Sequence, residues 1–110
     1  MEKQTTFTAR GAVLGRYWGG GEGVYESRTI KGSSEEEVLK LAEQGVKDGS
    51  LDNGMGFECL IGAALTITKT THIEVDGQPF VNKEYEDFVV GELDEEQLDY
   101  LLEILMHYSI

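Results

Sequence analysis

The run from Cys59 to Val75 constrains the fold of this chain more than any other segment. Cys59, Ile61, Ala63, Leu65 and Ile67 recur at every second position, and Thr71, Ile73 and Val75 continue the parity after Lys69 interrupts it. A period of two is the signature of a strand with distinct faces. Asp76-Gly77 follows directly, and Asp-Gly between β-prone flanks specifies a two-residue type I′ hairpin turn. Phe80 to Val90 is then the returning strand. Pro79 at its start places its nitrogen outside a central ladder, because proline has no N–H to donate. The spacing predicts either one long bent strand over 59–75 or two strands meeting near Thr68 to Thr70.

The other elements follow from the same periodicities. Thr5 to Tyr17 reads as a strand, with Phe7, Ala9, Val13 and Tyr17 on one face and Thr8, Arg10, Leu14 and Arg16 on the other. Trp18-Gly19-Gly20-Gly21-Glu22-Gly23 breaks it as a turn, and Val24 to Lys31 returns antiparallel. A helix opens after Ser33-Ser34, where Ser33 with Glu36 or Ser34 with Glu37 forms a capping box. Val38, Leu41, Ala42, Gly45 and Val46 supply its apolar stripe, and Gly49 ends it. A second helix opens at Asp94, with Gln97 as capping-box partner and Leu98, Leu101, Leu102 and Leu105 as its stripe, running to about Tyr108. The expected fold is α+β: an antiparallel sheet of four to five strands with two helices packed on one face, in the order ββαββα. At 110 residues, 1–110 is one domain.

Charge narrows the partners. The net charge is −12, from 21 acids and 9 bases. Residues 75–110 carry ten acids against Lys83 alone, a net of −9. Such a field repels phosphate backbones and anionic membranes and attracts a basic surface. No run of eighteen apolar residues exists, Met1 to Arg10 lacks the apolar core of a secretory signal, and Cys59 is the sole cysteine, so a cytoplasmic chain without a disulfide is expected.

Several clusters invite a chemical reading. Asp48-Gly49-Ser50-Leu51-Asp52-Asn53-Gly54 begins like a calcium loop, but Asn53 stands where an EF-hand needs Gly and Cys59 where it needs Glu, so a polar turn is expected. Cys59 shares the parity of Ile61 and Leu65 and is expected to be buried and inert, pointing away from His72; His107 sits near the end of the last helix. One cysteine and two scattered histidines lack zinc spacing. Gly19-Gly20-Gly21-Glu22-Gly23 lacks the Lys-Ser/Thr ending of a phosphate loop. No catalytic residue, metal or cofactor is therefore assigned.

Two features point to binding. Tyr17, Trp18 and Tyr25, near Arg10, Arg16 and Arg28, are residue types that anchor protein interfaces. Glu84, Glu86, Asp87, Glu92, Asp94, Glu95, Glu96 and Asp99, gathered on one surface, would imitate a phosphate backbone and steer a basic partner. In size and charge the chain resembles small acidic accessory proteins of phages and mobile elements, among them inhibitors of host defence nucleases, although no motif carries the likeness. The expected function is thus a non-enzymatic, acidic protein-binding module that acts as a nucleic-acid mimic without contacting nucleic acid itself. The alternatives are a small-ligand binder or small enzyme with a pocket between sheet and helices, and a homo-oligomer that pairs through a strand edge at Pro79 to Val90.

Overall fold

The computed structural model describes residues 3–108. Its elements are β1 (Lys3–Arg16), β2 (Glu22–Glu26), β3 (Ile30–Gly32), α1 (Glu35–Lys47), β4 (Cys59–Val75), β5 (Gln78–Gly91) and α2 (Glu95–Tyr108). The five strands form one antiparallel sheet in the order β2-β1-β4-β5, with β3 also paired to β1. The α+β class, the strand count and the two helices agree with the sequence, and β4 is a single strand.

The expected second strand divides in two. Ser27 lies between β2 and β3, buried, and stands in for the missing ladder: its N–H donates to the Gly11 carbonyl at 2.9 Å and its hydroxyl accepts the Gly11 N–H at 2.9 Å. Arg28 then turns outward. Its N–H donates to the Leu51 carbonyl at 2.9 Å and its Nε to the Asp52 carbonyl at 3.0 Å, tying the sheet edge to the loop after α1.

The two helices lie on opposite faces of the sheet, which corrects the expectation of one covered face. On one side Val38, Ala42 and Val46 of α1 pack with Ala9, Val13, Ala63, Leu65 and Ile67. On the other, Leu101 and Leu105 of α2 pack with Ala12, Leu14 and Ala64. The cause is local. Gly11-Ala12-Val13-Leu14 and Gly62-Ala63-Ala64-Leu65 are small or apolar at consecutive positions, so both faces of β1 and β4 exclude water there. Full burial of a leucine such as Leu65 or Leu101 contributes roughly 1.5–3 kcal/mol.

A bulge disturbs this core at one end. The β1–β4 register shifts between Leu14 and Gly15, which face Gly62 and Leu60. Beyond it the parity of β4 reverses: Leu60 joins the α1 cluster with Ala63 and Leu65, Ile61 packs against the α2 cluster, and Cys59 is exposed. Gly91 ends β5 close by. Its φ is +94°, and a Cβ there would stand 2.5 Å from the Ile61 carbonyl oxygen, so the crossing into α2 requires glycine.

The helices cover only half of the sheet. β1, β4 and β5 continue past them as a three-stranded arm closed by Asp76 (φ +52°) and Gly77 (φ +77°), the left-handed pair of a type I′ turn. The molecule measures 59 × 24 × 21 Å. Its long axis is close to the length of β4 itself, about 55 Å at the usual strand rise.

Candidate interaction surface

The long axis gives the molecule two poles. At one, the β1–β2 connection sits beside the start of α2; at the other, the arm ends in its turn.

The hairpin pole carries the aromatic residues. The Tyr17 N–H donates to the Gly21 carbonyl and the Gly20 N–H to the Tyr17 carbonyl, both at 3.0 Å, which shapes the loop. Tyr17 packs its ring on Phe57, with centroids 5.3 Å apart at 41°. Each ring lies over a glycine, Phe57 over Gly15 and Tyr17 over Gly23, where a Cβ would collide with it. Tyr17 is therefore partly held, at 38% exposure; Tyr25 on β2 is 37% exposed and Trp18 75%.

Helix α2 brings acids to this pole. Asp94 and Gln97 form the expected reciprocal capping box: the Gln97 N–H donates to Asp94 Oδ1 at 2.8 Å and the Asp94 N–H to Gln97 Oε1 at 3.0 Å. The remaining Gln97 amide donates to both carboxylate oxygens of Glu22 at 3.2 Å. This bridge sets the first turn of α2, with Glu95 and Glu96, against the strand that leaves the Trp18 loop. Glu92, Asp94, Glu95, Glu96 and Asp99 are all exposed there.

The β5 acids do not join one stripe. Glu84 and Glu86 lie opposite Lys69 and Ile67, on the face of α1, whereas Asp87 lies opposite Thr66, on the face of α2. Asp87 accepts the Thr66 hydroxyl at 2.6 Å. Glu84 meets Lys69 at 3.8 Å. Glu86 meets Glu35 of α1, and hydrogen bonding and repulsion between the two hold the Glu35 carboxyl above its ordinary 4.5, with Lys69 partly offsetting them. Phe7, Ile67 and Tyr85 join these groups around an open cleft of about 270 Å³.

The loop after α1, tied to the sheet edge through Arg28, is shaped from within by its own carboxylates. The Asp52 carboxylate accepts the N–H groups of Met55, Gly56 and Phe57 at 3.0, 2.9 and 3.1 Å. Asp48 accepts the Ser50 N–H at 2.8 Å, and Ser50 holds its carboxyl below the usual range. Among the described residues no group of three His, Cys, Asp or Glu is placed to hold a metal ion.

Cys59 and His72 stand at opposite ends of β4, about 40 Å apart at the strand rise, so they form no dyad. The expected burial of Cys59 is corrected by the bulge, which turns it outward. Sequence reasoning also missed the Glu35–Glu86 contact, since nothing in local spacing joins the first turn of a helix to the middle of β5.

No family model matches the chain, and no curated protein and no solved structure matches it either. Among the described residues no helix is long and apolar enough to cross a membrane.

Proposed function

We propose that this chain is a non-enzymatic binding protein whose hairpin pole receives a basic protein surface. The observation that carries the reading is the Gln97–Glu22 bridge, which gathers the acids of the α2 start beside the hairpin that exposes Trp18. A large aromatic side chain ringed by charge is the usual make-up of an interface hot spot and its rim. Trp18 is the anchor in this reading; Glu22, Glu92, Glu95, Glu96 and Asp99 steer the encounter. A partner whose basic surface normally meets phosphate backbones fits that chemistry, and the chain would then compete with the nucleic acid for it.

The test is affinity capture from host lysate at low and high salt, followed by titration of the purified partner. The captured protein is expected to be basic, and its affinity should fall steeply as salt rises. Trp18→Ala should weaken binding by about thirtyfold or more, the effect of losing a hot-spot residue. Joint Glu95→Lys and Glu96→Lys should slow association. Trp18 is the sole tryptophan, so its fluorescence should shift to the blue on binding. A partner indifferent to salt and to all three substitutions would overturn the reading.

A further inference from the structure

The outer edge of β5 is a second surface, independent of the hairpin pole. We infer that it pairs with β5 of a second copy of this chain, antiparallel, about a two-fold axis at Tyr85.

The turn decides which groups face outward. In a two-residue hairpin the residues flanking the turn, Val75 and Gln78, form a hydrogen-bonded pair, and such pairs recur at every second position. Even-numbered residues of β5 therefore bond to β4. The odd-numbered ones, from Val81 to Val89, turn their N–H and C=O groups to the free edge. Pro79 is odd, so its missing N–H costs the sheet nothing. No other described strand pairs with this edge.

The side chains then select one register. Antiparallel pairing about a perpendicular two-fold axis matches outward residues of like parity. Centred on Tyr85, it sets Lys83 opposite Asp87 of the second copy, twice, with Val81 opposite Val89 and Tyr85 opposite itself. Tyr85 and Val81 are 66% and 55% exposed without this partner. Moving the axis by one residue places Lys83 opposite Tyr85 or Val89, and moving it two residues toward the turn places Lys83 opposite itself. Charges on an edge strand normally block indiscriminate pairing; here they also favour a single partner. On the face of α1 the same register sets Glu84 opposite Glu86, and this repulsion, beside Glu35 and Lys69, keeps the association concentration-dependent rather than permanent.

Sedimentation equilibrium of the full chain over a wide concentration range reads the association directly. A reversible monomer–dimer equilibrium is expected. Tyr85→Pro removes an outward N–H without taking a bond from the β4 ladder, and should weaken the dimer about tenfold or more. Lys83→Asp alone and Asp87→Lys alone should weaken it comparably by opposing like charges, and the double exchange should restore it. Melting of each variant as a monomer at low concentration controls for folding. A native chain that stays monomeric throughout, a Tyr85→Pro variant that folds and dimerises as well as the native chain, or a double exchange that restores nothing would overturn the inference. Because Trp18 and the acids of α2 lie outside this edge, these outcomes leave the basic-partner reading untouched.

Discussion

Asp52 satisfies three successive backbone N–H groups that no strand or helix reaches, and those bonds fix the turn that delivers Phe57 beneath Tyr17. Hydrogen bonds to a charged acceptor are the stronger class, and losing the acceptor leaves all three donors to water. Asp52→Ala is expected to cost about 2–3 kcal/mol in chemical denaturation, and Asp52→Asn less. The Glu35–Glu86 pair acts in the opposite direction. A carboxyl held above its ordinary value binds its proton more tightly in the folded state, so folding loses stability as pH rises from 4.5 through the raised value. Glu86→Gln should therefore raise the melting temperature at neutral pH, and the gain should vanish below pH 4.5. Equal gains at both pH values would show that repulsion with Glu35 is not the cause. Glu37 has the reverse sign: the Ser33 hydroxyl and N–H hold its carboxyl below 4.5, so its contribution is complete above 4.5 and lost as acid protonates it.

At the scale of elements, what was legible in the sequence was what short-range chemistry decides. The Asp76-Gly77 turn, both helix starts and the long alternation of β4 follow from residues within a few positions of one another. Of the two capping boxes offered for α1, the structure uses Ser34 as N-cap, accepting the Glu37 N–H at 3.1 Å, while Glu37 reaches one residue further back, to Ser33. What escaped was the non-local part. The bulge opposite Leu14 and Gly15 reverses a parity that reads smoothly through Cys59, Ile61 and Ala63, because it is defined by how β4 pairs with β1 and leaves Ile61 without a partner there, which spacing within β4 does not reveal. The opposed helices did leave a trace, in the consecutive small and apolar residues at 11–14 and 62–65. Two-sided burial produces such runs, and a one-sided sheet would alternate instead. The acids of α2 were legible as a group; their meeting with the hairpin was not, since Glu22 and Gln97 are 75 residues apart.

At the scale of the whole molecule, shape distinguishes this chain from a compact domain of its length. A globular chain of 110 residues has a radius of gyration of about 13 Å, whereas this one has 15.7 Å. Small-angle scattering of the monomer should recover the larger value; a result near 13 Å would mean that the arm folds back on the helices. The arm also divides the acidic charge. Glu84 and Asp87 look out from opposite faces of the sheet, so the molecule carries negative field around its waist and not along a single stripe.

The arm has a further consequence for how the chain comes apart. Near the helices, opening a strand means exposing Leu65 or Leu101, and the whole core resists. Beyond Phe7 and Lys69 the three strands are a single layer that no helix covers, with Thr71 its one buried side chain among the described residues, and opening a residue there breaks mainly its own ladder bonds. The domain thus contains two regimes of cooperativity along one continuous set of strands. Fraying that starts at Asp76-Gly77 can run inward some distance before the core is disturbed, and whatever grips the arm must first quiet that motion.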